Sequence, residues 1–239
     1  MAVHFKRAGY AMGLQVQICG SPVLFAHWRL LKMTVSEIVP FDKKRSRVYL
    51  DGEYAFLLYR GELRDYHIEQ DAELSEDAYE EIMNEVLPKR AKLRAMHLLQ
   101  KQDYTERKLR EKLNDGCYPE CCIDEAIEYV KSYHYIDDRR YAVDYVQYYM
   151  SLRSRNRIEM DLMKKGITRD LIQEVMDSCY SCADPQIEVQ QVQELLKKKH
   201  YDPENQDLKE KQKMMAFLYR RGFSQDVIHR ALSLDITPD

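Results

Sequence analysis

The chain has 239 residues, of which 32% are charged, eight are glycine and seven are proline. Few turn-forming residues and many charges are typical of a helical protein with a large solvated surface. They argue against an all-β sandwich, a collagen-like repeat and a fully disordered chain. The net charge of −3 excludes a uniformly cationic protein, although it is compatible with a local basic surface.

The N-terminal segment, residues 1–32, does not have the pattern of a folded domain. Its residues 10–31 are moderately apolar, but glutamines interrupt them and no small-residue cleavage site follows, so they match a signal peptide poorly. No segment of the chain reaches the roughly 18 uninterrupted apolar residues of a transmembrane helix. Met33 begins a stretch that resembles the start of a domain. We therefore expect residues 1–32 to be an extension that is either disordered or not native, on a cytoplasmic protein.

Residues 33–74 are predicted to form a small β-hairpin module. The clearest signal is the run RVYLDGEYAFLLY at 47–59, where β-forming residues flank Asp51-Gly52. This dipeptide is favoured in a two-residue type I′ hairpin turn. Residues 35–41 have the composition of a third strand. Residues 33–88 contain six basic and 14 acidic side chains, so the module is a poor candidate for nucleic-acid binding.

A connecting helix is predicted at residues 75–90. Ser75 is a suitable N-cap, and two acidic residues follow it in the first turn, where the helix dipole favours anions. Pro88 removes a backbone donor and is expected to break or kink this helix.

The sequence after this helix repeats itself. When Gly166 is aligned with Gly222, an offset of 56, each copy consists of a helix ended by the glycine, a short link and a second helix. The links contain Thr168 and Ser224 as N-caps, and a further helix precedes each pair. A weaker third copy lies 49 residues before the first, where Leu109 matches Ile158.

The predicted fold is therefore mainly α, with three tandem three-helix repeats after the β-hairpin module. We expect the repeats at residues 91–138, 139–184 and 185–239. Each is too short to bury its own apolar faces well, so we expect them to stack into an elongated array, whose long grooved surface suits an extended partner.

Basic residues recur in register with the second and third repeats. Five positions of the second repeat match five of the third, and together they define a predicted basic stripe: Arg153, Arg155, Arg157, Lys164 and Lys165, with Lys209, Lys211, Lys213, Arg220 and Arg221. The helix dipole explains cations in a last helical turn, but it disfavours those at the start of a helix. The pattern favours contact with phosphates or an acidic protein surface, with little readout of base sequence.

Three tyrosines follow a helical period in the second repeat. Tyr141, Tyr145 and Tyr149 lie at positions i, i+4 and i+8. Such a row usually packs against a core, and we predict this role, with base stacking as the alternative.

The chain contains no recognisable catalytic motif, so we predict a protein that is not an enzyme and has no catalytic residue, cofactor or metal. The six cysteines are interpreted as small buried apolar residues, with zinc binding by Cys179 and Cys182 or by 117–122 as the alternative. Asp137 and Asp138 lie where one repeat meets the next. We expect them to cap a helix or to join repeats, rather than to bind a metal.

Four segments resemble the motifs of the RecX family, in the order that family has them. The first two are DYTERKLREKL at 103–113 and YIDDRRYA at 135–142. The third consists of RI at 157–158, Leu162 and KKGI at 164–167, and the fourth is FLYRRGFS at 217–224. The resemblance covers roughly residues 91–233. His134 stands where the family usually has glycine, which puts a left-handed turn there in doubt, and Gln102 replaces a usual arginine.

The resemblance implies three tandem three-helix repeats and a protein that binds the filament of the RecA recombinase in its groove. It also implies modulation of ATPase, strand-exchange and coprotease activities in recombination, DNA repair and the SOS response. The expected partners are the RecA filament and, more weakly and in a salt-dependent way, single- and double-stranded DNA. We expect no membrane partner, and we expect the protein to be a monomer. The alternative is a stand-alone DNA-binding module that acts through the basic stripe.

Overall fold

The computed structural model describes residues 33–184, 186–201 and 207–233. The predicted N-terminal extension lies outside these residues. Within the described part, the chain divides into two compact units. The first contains residues 33–91 and 116–125, and the second contains residues 92–115 and the described residues from 126 to 233.

The first unit contains an antiparallel sheet. Its strands are β1 (Met33–Pro40), β2 (Arg45–Leu50), β3 (Glu53–Tyr59) and β4 (Glu73–Leu74), in the order β3-β2-β1-β4. The predicted hairpin is confirmed, because Asp51 and Gly52 have φ angles of 51° and 89°, as a type I′ turn requires. The third strand is also confirmed, whereas β4 and the helix α1 (Arg60–Asp65) were not predicted.

A helical segment follows the sheet. Helix α2 (Glu76–Glu81) begins after Ser75, whose Oγ accepts a hydrogen bond from the amide of Ala78 at 3.3 Å, as predicted. A π-helical turn (Ile82–Val86) then leads directly into α3 (Leu87–Leu99). Pro88 lies in the first turn of α3, and the helical segment continues through it without a break. The wider π turn places the irregularity upstream of the proline, where an i to i+5 bond joins the amide of Leu87 to the carbonyl of Ile82.

Nine helices form the three predicted repeats in the described part of the chain. The first repeat contains α3, α4 (Glu106–Asn114) and α5 (Glu120–Ser132). The second contains α6 (Asp138–Tyr149), α7 (Arg155–Lys164) and α8 (Arg169–Ser181). The third contains α9 (Ile187–Lys198), α10 (Leu208–Arg220) and α11 (Gln225–Ser233). The second and third repeats each have their own cluster of buried apolar side chains.

Left-handed residues end several of these helices. Gly166 and Gly222 have φ angles of 91° and 92°, as their predicted positions require, and their amides bond back to the last helical turn. The corresponding residue of the first repeat is Cys117, with φ 59°. His134, with φ 55°, does adopt the left-handed conformation that its replacement of a glycine had put in doubt.

A buried hydroxyl joins each repeat to the next. Thr105 and Ser154 are the N-caps of α4 and α7, and each is only 1% exposed. Each hydroxyl accepts a bond from an amide of its own helix and donates one to a carbonyl just before a left-handed glycine of the following repeat. Thr105 Oγ1 lies 2.5 Å from the carbonyl oxygen of Lys165, and Ser154 Oγ lies 2.8 Å from that of Arg221.

An acidic side chain makes a second bond at each of these joints. The amide of Glu106 donates to Asp138 Oδ1 at 2.8 Å, and the amide of Arg155 donates to Glu188 Oε1 at 2.9 Å. Asp137 caps α6 by accepting from the amide of Arg140. The predicted capping and joining roles of Asp137 and Asp138 are therefore both confirmed. Helix α10 differs, because it begins after Asp207, whose side chain makes no capping bond within the described residues.

The glycines allow the repeats to approach closely. A Cβ atom on Gly222 would lie 2.6 Å from Ser154 Oγ and 3.3 Å from the amide nitrogen of Arg157. A Cβ on Gly166 would lie 2.2 Å from the Arg107 side chain. Glycine is therefore required at both joints by its backbone conformation and by the space available.

We predict that Gly222→Ala lowers the free energy of unfolding by about 1–3 kcal/mol, because alanine is strained at this φ and contacts the joint. Urea denaturation followed by circular dichroism would measure the loss. Gly61→Ala is a matched control, because Gly61 lies in α1 with open space around it and should gain about 0.5–1 kcal/mol. Equal changes in the two variants would contradict the role of the joint.

Candidate functional site

The joint between the second and third repeats borders a groove of about 460 Å³, which we call the basic groove. Five basic side chains and one acidic side chain line it. They are Arg153, Arg157, Lys198, Arg220 and Arg221, with Glu194. Apolar contacts come from Leu152, Leu195 and Phe223. This excess of positive charge in a concave surface favours an anionic ligand.

The ends of three helices place these cations. Lys198 is the last residue of α9 and Arg220 is the last residue of α10, where the helix dipole favours positive charge. Arg153 precedes α7 and Arg157 lies in its first turn, where the dipole disfavours positive charge. The bond from Ser154 to the carbonyl of Arg221 holds these two kinds of helix end together.

A buried carboxylate balances the two unfavourably placed arginines. Asp161 is only 9% exposed, and its Oδ2 lies 2.7 Å from Arg153 Nη1 and 3.3 Å from Arg157 Nε. The guanidinium of Arg153 also lies 3.9 Å from the ring centroid of Tyr149. Burial raises the pKa of Tyr145, so its phenol stays protonated beside Asp161 and accepts a bond from Arg153. Asp161 thus fixes two cations at the groove.

The basic groove brings together four of the ten candidate residues: Arg153, Arg157, Arg220 and Arg221. Arg155 lies elsewhere, 2.7 Å from Asp177 and over the ring of Tyr180. Lys165 lies over Tyr141 and Tyr145 and lines a different groove, described below.

The remaining candidates do not line the basic groove. Lys164 is exposed at the end of α7, and Lys209, Lys211 and Lys213 are exposed on α10. Within the part of the chain that is described, these four lysines form no ion pair. Helix α10 has 13 residues and α7 has 10, so the matched sequence positions are not equivalent in structure. Arg155 begins α7, whereas Lys211 lies inside α10.

Sequence comparison between the repeats missed Lys198. This residue has no basic counterpart in the second repeat, because the corresponding helix ends at Tyr149. The available signal was the cluster of lysines at 197–199, in a last helical turn where cations are stabilised.

A second groove, of about 610 Å³, lies beside the joint between the first and second repeats. Six tyrosines line it, and we call it the tyrosine groove. They are Tyr104, Tyr135, Tyr141, Tyr145, Tyr148 and Tyr149. Tyr141, Tyr145 and Tyr149 also pack against the apolar cluster of the second repeat, so the predicted core contact is confirmed for one side of this row.

Three family models match the chain, in the order of its repeats. The first, second and third three-helix domains of RecX match residues 91–129, 137–176 and 186–232. The chain belongs to the RecX family. The regulatory protein RecX of Caldanaerobacter subterraneus subsp. tengcongensis is 32% identical over 204 residues, which cover 84% of this chain and all of the relative. That of Clostridium acetobutylicum is 30% identical and covers 83% of this chain and 94% of the relative.

Solved RecX structures share the fold. A crystal structure of regulatory protein RecX matches with a TM-score of 0.56 and 24% identity, and covers 83% of this chain and 98% of its own. The structure of RecX from Lactobacillus salivarius matches with a TM-score of 0.52 and 23% identity, and covers 62% of this chain and 95% of its own. Among the described residues, no helix is long and apolar enough to cross a membrane, and no cluster of three metal-ligating side chains occurs.

We predict that Asp161→Asn lowers the free energy of unfolding by about 1–2 kcal/mol, because it removes the counter-charge of two partly enclosed arginines. Urea denaturation would measure this loss. Asp226→Asn is the matched control. Asp226 is 79% exposed and pairs with Arg230 on the helix surface, so its loss should cost less than about 0.5 kcal/mol. A loss at Asp161 as small as this would show that the carboxylate does not hold the arginines.

Proposed function

We propose that this chain is a non-enzymatic regulator of homologous recombination and DNA repair, which binds the RecA–DNA filament and modulates its ATPase, strand-exchange and coprotease activities. The basic groove is the observation that carries the proposal. Its cations are held at fixed positions between two repeats, and they surround a concavity of a size that a phosphate backbone can enter. Membership of a family whose relatives are called regulatory proteins supports a role in control.

The chemistry of the groove suits phosphate. Guanidinium groups bind phosphate oxygens with two parallel hydrogen bonds, and four of the five cations of the groove are arginines. Asp161 and the ring of Tyr149 hold Arg153, so little side-chain entropy is lost when a ligand binds. Contacts of this kind position a strand without reading its base sequence.

The alternative is a stand-alone DNA-binding module. It is favoured by the charge of the basic groove, which has five cations and one carboxylate and suits a phosphate backbone without a second protein. Such a module would act in proportion to the DNA that it covers, whereas a filament regulator would act at a small ratio of protein to RecA.

We expect substoichiometric amounts of the protein to suppress the single-stranded-DNA-dependent ATPase of the cognate RecA. Suppression at a low ratio reflects capping or disassembly of the filament rather than competition for DNA. The double variant Lys198→Glu, Arg220→Glu reverses two charges of the basic groove. About ten times as much of this variant as of the wild type should be required for the same suppression of the ATPase. A phosphate-release assay would measure the activity.

The control for this experiment is Lys43→Glu, Lys44→Glu, which makes the same charge change at exposed positions of the first unit. This control variant should suppress the ATPase to the same extent as the wild type. An effect that appears only when the protein saturates the DNA would favour the stand-alone module. Equal loss in both variants would contradict the assignment of the basic groove.

We also predict that Arg220→Ala reduces the salt dependence of DNA binding. Each phosphate contact contributes about 0.7–0.9 to the slope of log affinity against log salt concentration, so the slope should fall by about that amount. Fluorescence anisotropy at several salt concentrations measures this slope. Lys43→Ala should leave it unchanged, and an unchanged slope in Arg220→Ala would place the phosphate elsewhere.

A further inference from the structure

The tyrosine groove presents a continuous row of aromatic rings. The rings of Tyr141 and Tyr145 are within 15° of parallel, with centroids 6.4 Å apart. Tyr149 follows at 4.5 Å from Tyr145, and Tyr148 meets Tyr149 edge-on at 4.8 Å. Each ring restrains its neighbour, so the row is ordered before any ligand binds.

One side of this aromatic surface is open. Tyr148 is 67% exposed and Tyr135 is 48% exposed. Tyr135 is itself stacked on Tyr133, with an angle of 16° between the rings. The groove therefore offers large, flat apolar faces to a ligand.

Cations border the rings. Lys165 Nζ lies 5.3 Å and 5.2 Å from the centroids of Tyr141 and Tyr145. Arg140 also lines the groove, as do Lys108 and Lys112, which pair with Glu111 and Asp115. Its acidic residues include Asp137, which is engaged in capping α6. The positive charge closest to the aromatic faces is therefore that of Lys165.

Arg153 connects the two grooves. Its side chain lines the basic groove, while its guanidinium stacks on Tyr149 and bonds to the phenol of Tyr145, both of which line the tyrosine groove. A strand with its phosphates in the basic groove would therefore have the aromatic row next to it. This continuity, together with the cations over the rings, favours a nucleic-acid strand over a protein segment.

We propose that the tyrosine groove binds unpaired bases of single-stranded DNA by stacking, next to the phosphates in the basic groove. The inference rests on the DNA contact of the proposed function, and adds a selection for unpaired strands. Aromatic rings stack on any base whose face is exposed, whereas a duplex keeps its base faces stacked on each other. The contact is tolerant of sequence, because every base has such a face.

The test compares two fluorescent single strands of about 20 nucleotides with the same number of phosphates, one of thymidine and one of abasic sites, by anisotropy at one salt concentration. The wild type should bind the thymidine strand about tenfold more tightly, since stacking contributes that much per base. The double variant Tyr135→Ala, Tyr148→Ala should lose this difference and retain its affinity for the abasic strand. Both tyrosines are exposed, so truncation should spare the fold.

Two controls accompany this variant. Tyr219→Ala removes a ring that is 64% exposed in the third repeat and lines neither groove, and it should keep the tenfold difference. Tyr148→Phe alone retains the ring and should bind as the wild type does.

Equal wild-type affinity for the two strands would overturn the inference, while leaving the phosphate contacts of the proposed function intact. A parallel loss of both affinities in the double variant would also overturn it, because that result indicates a structural role. If the double variant still bound the thymidine strand more tightly than the abasic strand but no longer affected RecA filaments, the tyrosine groove would be assigned to a protein segment instead. If the wild type bound neither strand, the proposed DNA contact would fail and the inference with it.

Discussion

The position of each repeat depends on one buried hydrogen bond from a hydroxyl group. Thr105 and Ser154 each accept from their own helix and donate to the next repeat, and a hydroxyl does both through a single oxygen atom. The receiving carbonyl precedes a left-handed glycine, and a larger residue there would collide with the joint. Because helix ends meet at this bond, the side chains of those ends converge, and the grooves arise where they converge.

The same joint occurs twice with different surroundings. Four arginines and a lysine lie beside one copy, and six tyrosines lie beside the other. The two joints share the same hydrogen bonds, from a hydroxyl to a carbonyl and from an amide to a carboxylate, while the side chains that line the grooves differ. The same joint thus supports two surfaces of different chemistry, and Arg153 lines one of them and contacts two tyrosines of the other.

Local signals made much of the fold predictable. The Asp51-Gly52 turn, the glycine-ended helices and the N-cap Asp137 each depend on a few neighbouring residues. β4 has only two residues, too few for a pattern, and the π turn depends on how one helix accommodates Pro88. The candidate cations were harder to place, because burial of Asp161 and the extra turn of α10 decide which of them converge. Neither follows from the spacing of basic residues.

The third repeat begins its second helix differently from the first two. Helix α10 has 13 residues and α7 has 10, so the residue that aligns with Ser154 in the third repeat is Glu210, in the first turn of α10. The N-cap itself is Asp207, whose side chain makes no capping bond within the described residues. Neither residue is a serine or threonine, so the hydroxyl bond that attaches one repeat to its successor has no equivalent at the start of α10.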